Sequence, residues 1–172
     1  MSLLETERLL LRRLTPDDAA FMLELVTDPS WIEFIGDRGL KSVDDARAYI
    51  VDRYVADYER HGFGLYLVAL KETGEALGIC GLIKREALDD VDVGFAFLPR
   101  HVGRGYATEA ARAALEHGWR DLGLRRIVAI TTPSNRRSIR VLEKVGLRFE
   151  TFFRMPGDED ELALYALTPP EE

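Results

Sequence analysis

Residues 100–110 read Arg100-His-Val-Gly-Arg-Gly-Tyr-Ala-Thr-Glu-Ala110 and follow a strand-like run, Asp92-Val-Gly-Phe-Ala-Phe-Leu98. The order is strand, glycine-punctuated turn, helix. Beyond the turn, Ala107, Ala110, Ala111, Ala114, Leu115 and Gly118 recur at helical spacing as a narrow stripe of small residues, which lets a helix pack closely on a sheet. The first turn of that helix offers the N–H groups of Arg104, Gly105, Tyr106, Ala107 and Thr108. These carry partial positive charge, and glycine lets the backbone approach an anion with no Cβ in the way. Arg100 and Arg104 add formal charge. The layout suits a pyrophosphate; a tight turn without a ligand is the plainer reading.

Working outward, Leu9 to Leu14 reads as a strand, and Thr15-Pro16-Asp17-Asp18 supplies the N-cap, N1 proline and first-turn acids of a helix ending near Asp28-Pro29. A second helix starts at Ser42 and runs to Gly62, with Ala46, Tyr49, Ile50 and Tyr54 on its apolar face. Phe63 to Leu70 and Ala76 to Ile83 flank Glu72-Thr73-Gly74-Glu75 as a hairpin. After the long helix come a strand from Arg126 to Thr132, a short helix from Arg136 to Val145 stopped by Gly146, and strands near Leu147–Arg154 and Glu161–Thr168. Pro169-Pro170 ends the fold. The order βααβββαβαββ implies a mixed sheet covered by helices, an α/β (α+β) fold, and no linker or repeat divides residues 1–172 into more than one domain.

The chain has 172 residues and a net charge of −7, which argues against nucleic acid as a partner. The charge is uneven. Residues 100–144 carry ten Lys/Arg against four Asp/Glu, and the remainder carries thirteen against twenty-six. One basic segment centred on a phosphate-type turn points to a compact polyanion rather than a duplex. Cys80 is the single cysteine and sits among apolar neighbours, so a reducing cytoplasmic setting and a buried strand position are expected. No apolar run approaches the roughly 20 residues that span a bilayer, so no membrane partner is expected. His61, His101 and His117 show no metal-like clustering, and no metal is expected.

Three nucleotide readings compete for the turn. A dinucleotide fold needs Gly-x-Gly-x-x-Gly, and here Thr108 stands where the third glycine belongs; a P-loop needs Gly-x4-Gly-Lys-Ser/Thr, which is absent. The remaining pattern, Arg-x-x-Gly-x-Gly followed by Tyr-Ala-Thr-Glu-Ala, resembles the acetyl-coenzyme A signature of the GNAT N-acetyltransferases. Asn135-Arg-Arg-Ser-Ile-Arg-Val-Leu-Glu-Lys-Val-Gly-Leu147 resembles the second signature of that family, with Leu147 in an aromatic place. Thr6-Glu-Arg-Leu-Leu-Leu-Arg-Arg-Leu-Thr-Pro-Asp-Asp18 is similar to the ribosomal-protein N-terminal acetyltransferase (RimJ/RimL-like) branch.

The resemblance implies a mostly antiparallel sheet of about seven strands flanked by four helices, with a splay between the fourth strand (Asp92–Leu98) and the fifth (Arg126–Thr132). It implies acetyl-CoA as co-substrate, held by backbone groups at Phe97 and Leu98, by Arg100, Gly103, Arg104, Gly105, Tyr106, Ala107 and Thr108, and by the Asn135 side chain. An N-cap fits Asn135 equally well. Ser138 is the nominated proton donor to the departing thiolate, because position 142, where many members carry tyrosine, is leucine. Asp92 is the nominated general base; Asp158 and Glu161 are further acids near the last connection. Trp31, Phe34 and Tyr54 either line an acceptor pocket, with Glu33 or Asp37 receiving an ammonium group, or fill the core.

The expected activity is direct acetyl transfer to a primary amine, at a peptide N-terminus or on a small molecule rather than at lysine. The alternative is an acyl-CoA-binding sensor or interaction domain that has lost the chemistry. Besides the amine acceptor, a second copy of the chain is the partner this reading allows. Cys80 has no histidine near it in sequence and offers no covalent route.

Overall fold

A computed structural model describes residues 3–168; the expected Pro169-Pro170 stop lies outside them. The strands are β1 (Leu4–Glu5), β2 (Leu9–Arg13), β3 (Leu65–Leu70), β4 (Ala76–Ile83), β5 (Val91–Phe97), β6 (Ile127–Thr131), β7 (Arg148–Phe153) and β8 (Leu162–Leu167). They form one sheet in the order β1-β2-β3-β4-β5-β6-β8-β7. Two-residue β1 is the addition to the seven expected strands, so the pair expected to splay is the fifth and sixth in chain order. Among the described residues β5–β6 is the one parallel pair, and its register stops after Val91↔Ile127 and Asp92↔Val128. The strands part beyond that point.

Local signals account for the helices. Thr15 and Asp18 form a reciprocal capping box, and Arg12 grips the Asp18 carboxylate at 2.8 and 2.9 Å before α1 (Ala19–Thr27) begins. Asp28 ends α1 and caps α2 (Pro29–Phe34) through the Ser30 N–H at 2.9 Å. That short helix was not expected; Asp-Pro both stops one helix and starts the next. Ser42 caps α3 (Val43–Tyr49), which widens into a π-helical segment (Ile50–Val55) before α4 (Ala56–His61) ends at left-handed Gly62. The helix expected over this span is therefore continuous but changes its winding. α5 (Tyr106–Arg120) and α6 (Arg136–Lys144) complete the set.

The core joins both sides of the sheet. Leu9, Leu11, Val68 and Leu77 are fully buried, and Cys80 lies among them as an inert core residue whose thiol burial pushes up to about 12. Tyr58 of α4 accepts from the Leu14 N–H at 3.0 Å and donates to the Leu65 carbonyl, tying the helix to β2 and β3.

Two glycines mark where backbone approaches backbone or helix approaches sheet. A Cβ on Gly81 would lie 2.1 Å from the Gly64 carbonyl oxygen, whereas one on Gly118 of α5 would meet only side-chain tips, Ile127 Cδ1 at 2.6 Å first. Side-chain tips can move and a paired backbone cannot. Gly81→Ala is therefore expected to lose about 3 kcal/mol, and Gly118→Ala about 1 kcal/mol or less because helix propensity offsets part of the crowding. Urea unfolding midpoints measure both.

Candidate active site

The turn between β5 and α5 has the geometry of an anion cradle. Gly103 and Gly105 adopt φ of +88° and +83°, a left-handed conformation that only glycine enters without strain. Gly105 is the N-cap of α5, and no side chain caps that helix. The first intrahelical bond runs from the Glu109 N–H to the Gly105 carbonyl at 3.0 Å. The N–H groups of Tyr106, Ala107 and Thr108 precede it and are presented outward by a helix of 15 residues.

The neighbouring side chains divide. Arg100, on a 3₁₀ turn (Pro99–His101), reaches the exposed Glu24 carboxylate of α1 at 3.1 Å, so it enters an anion site only by exchanging partners. Arg104 is exposed. His101 points inward: it is 9% exposed, with Nε2 at 3.2 Å from Glu75.

Phe97 and Leu98 also separate. The Leu98 N–H donates to the Leu77 carbonyl at 3.0 Å and is thereby occupied, and the Leu98 side chain is buried. Hydrogen-bonding residues alternate along an antiparallel ladder, and Phe97 sits opposite Gly78. The Phe97 peptide groups therefore face the other edge of β5, toward the opening where β6 has departed. Of the two, Phe97 supplies the accessible backbone.

Across the opening, Asn135 caps α6, its Oδ1 accepting from the Ser138 N–H at 3.3 Å. The amide nitrogen of Asn135 is left for another contact. Ser138 is half-buried on the first turn of α6. Leu142, four residues on, is 1% exposed in the core and presents nothing to the opening.

Asp92 sits at the closed end of the splay, paired in register with Ile83 on β4 and Val128 on β6. The residue is 1% exposed, and its carboxylate lies 3.2 Å from Arg85 Nε. Burial pushes its carboxyl up to about 6, against the opposing pull of Arg85. A groove of about 700 Å³ opens beside this pair, between the α3–α4 rod and the end of β4, and is lined by Tyr49, Asp52, Arg53, Ile83, Lys84 and Arg85. Trp31 and Tyr54 are core residues at 6% and 2% exposure. Phe34 is half-buried, and Glu33, Asp37, Asp158 and Glu161 are exposed.

Three contributors were not assigned from sequence. Arg85 has no motif around it, and only folding brings it to Asp92. Thr6 and Arg8 belong to the branch pattern, yet their contact with the glycine turn and α5 spans about a hundred residues of sequence: Arg8 Nε meets Glu109 Oε1 at 2.7 Å, and Arg8 Nη1 meets the Arg104 carbonyl at 2.9 Å. No metal-binding group of His, Cys, Asp or Glu occurs among the described residues, and no helix there is long and apolar enough to cross a membrane.

Comparison with known proteins places this geometry in a family. The profile described as "Acetyltransferase (GNAT) domain" matches residues 8–148. An uncharacterized N-acetyltransferase of Bacillus subtilis, YnaD, is 31% identical over 149 residues, covering 87% of this chain and 84% of its own. The crystal structure of a GNAT-family acetyltransferase from Bacillus anthracis superposes with a TM-score of 0.80 at 28% identity, covering 96% of this chain and 97% of its own. A structure of RimL, a ribosomal L7/L12 alpha-N-protein acetyltransferase in complex with coenzyme A, shares the fold with a TM-score of 0.80 at 18% identity, covering 95% of each chain. With most of its length matched by the family profile, and with the splayed strands and glycine turn in place, the chain belongs to the GNAT acetyltransferases.

Proposed function

We propose that this acetyltransferase moves an acetyl group from acetyl-CoA directly to a primary amine, an α-amine at a peptide N-terminus or on a small molecule in preference to a lysine, in the cytoplasm. The observation that carries the proposal is the opening between β5 and β6, which has the uncapped N-terminus of α5 at its mouth and an unpaired edge of β5 along one side. The likeness of Thr6–Asp18 to the RimJ/RimL-like pattern and the fold shared with RimL support the branch.

The residues fit the co-substrate. Gly103 and Gly105 shape the turn, the N–H groups from Gly105 to Thr108 and the charges of Arg100 and Arg104 meet the pyrophosphate, and Asn135 Nδ2 and the Phe97 backbone bind the pantetheine arm. The thioester supplies the acetyl group. The Phe97 N–H stabilises charge developing on its carbonyl oxygen as the neutral amine attacks, and the Ser138 hydroxyl relays the second N–H proton to the departing thiolate, so that the C–S bond breaks as the C–N bond forms and the serine ends as it began. Asp92 takes the proton from the incoming ammonium group, directly or through water entering along the Arg85 groove. With a pKa near 6, about nine-tenths of it is ionised at pH 7.

Acceptor preference follows from proton affinity. An α-amino group of pKa about 8 is about 10% neutral at pH 7, whereas a lysine of pKa about 10.4 is neutral at about 0.04%. A single buried carboxylate of modest basicity is better matched to the first. The buried Leu142 favours a second reading, a domain that binds acyl-CoA without turnover.

Thiol release from acetyl-CoA with peptides, polyamines and amino acids as acceptors is expected to be faster with a free peptide N-terminus or free amino acid than with an N-blocked, lysine-containing peptide. Preferential acetylation of lysine contradicts the acceptor class, and saturable binding without thiol release for any amine supports the second reading. Ser138→Ala is expected to lower kcat about 10- to 100-fold with a smaller change in KM for acetyl-CoA; unchanged kinetics remove Ser138 from the mechanism.

Asp92 also makes a pH prediction. Its folded pKa lies above its unfolded value, so between about pH 4 and pH 6 the native state holds a proton that the unfolded chain has released. Its contribution to stability is fully present below pH 4 and is lost as pH rises through 6, by about 3 kcal/mol in all. Asp92→Asn is expected to flatten the stability profile over that window in urea titrations and to abolish the acid limb of kcat/KM near pH 6.

A further inference from the structure

The N-terminal segment reaches the acetyl-CoA turn through one side chain. Arg8 stands just before β2, and its guanidinium meets successive positions of the turn and of α5. Nη1 donates to the Arg104 carbonyl at 2.9 Å, Nη2 lies 3.3 Å from where a Cβ on Gly105 would sit, the cation stacks 4.6 Å above the Tyr106 ring, and Nε donates to Glu109 at 2.7 Å. Glu109 is held independently. It accepts from the Arg8 N–H at 2.9 Å and from the Thr6 hydroxyl, and these contacts keep its carboxyl below its usual range despite partial burial.

The peptide joining Arg104 to Gly105 turns about ψ of Arg104 and φ of Gly105, and Gly105 is left-handed at φ +83°. Glycine on that flank lowers the steric barrier that would otherwise hold its orientation. A trans peptide directs its N–H opposite to its carbonyl. Binding the Arg104 carbonyl on the Arg8 side therefore turns the Gly105 N–H to the other side. We infer that Arg8, locked by Glu109 and Thr6, is a positioning residue that sets the orientation of the Arg104–Gly105 peptide and with it the affinity of the turn for the pyrophosphate of CoA. The inference rests on the reading of the turn as the pyrophosphate site. A planar fork that grips a carbonyl and a carboxylate together is specific to arginine; a lysine keeps the charge and loses the geometry.

The test is calorimetric binding of free CoA to the full chain, with KM and kcat measured alongside. Arg8→Ala and Arg8→Lys are each expected to weaken CoA binding and raise KM for acetyl-CoA about tenfold, the effect of one well-placed hydrogen-bonding group. The kcat at saturation and the melting temperature should hold, because Arg8 is 42% exposed on its side chain. Wild-type affinity in Arg8→Lys overturns the inference, since charge alone would then suffice, as does a loss that follows a falling melting temperature. If Arg8→Ala fails to fold, Glu109→Gln decides: a raised Kd for CoA sustains the inference and an unchanged one overturns it. Gly105→Ala separates the two levels. If it weakens CoA binding and the Arg8 variants do not, only the role of Arg8 fails; if it leaves binding unchanged, the reading of the turn fails with it.

Discussion

Two residue pairs of parallel β-structure organise this molecule. Val91↔Ile127 and Asp92↔Val128 join the two parts of the sheet, and α5 is the crossover that makes them parallel. Because pairing stops there, β5 and β6 diverge from a fixed hinge, and every proposed contact to the co-substrate lies on the divergent side. Arg126 braces the closed end, its Nε reaching Asp90 at 3.0 Å and its second arm reaching Glu150. A residue that reads as ordinary surface charge thus holds the strands together where they must not part.

The same hinge places Asp92. A carboxylate midway along a sheet is costly to bury, and the half-compensating Arg85 leaves its pKa near 6 rather than near 4. Fully buried alone, the group would stay protonated at neutral pH; fully solvated, it would be a weaker base. Position at the junction of β4, β5 and β6 therefore tunes the acid-base property on which the role proposed for Asp92 depends. Burial and a charged partner are the means by which functional sites shift the pKa values of their carboxylates, and structural ion pairs shift them by the same means.

Legibility followed the range of the interactions involved. The capping box at Thr15–Asp18, the Ser42 cap, the Glu72–Glu75 hairpin turn and the Gly146 stop are local, and each stands where the chain predicts it. The π-helical widening at Ile50–Val55 was missed because no residue type marks it and tertiary packing selects it, whereas short α2 was missed although Asp28-Pro29 carries its cap, because the same pair also stops α1. The burial of His101 was not legible, because a turn sequence does not show which of its sides faces the core.

By itself the sequence determined the glycine turn before α5 and the cap of α6, since φ-positive glycines, an uncapped helix start and an asparagine N-cap are properties of a few consecutive residues. Only the tertiary structure decided which of Phe97 and Leu98 offers its backbone, which base partner Asp92 acquires, and that Arg8 and Glu109 meet across about a hundred residues. Those depend on strand register and on burial. Register and burial are set by the whole sheet at once, so no local stretch of the chain carries them.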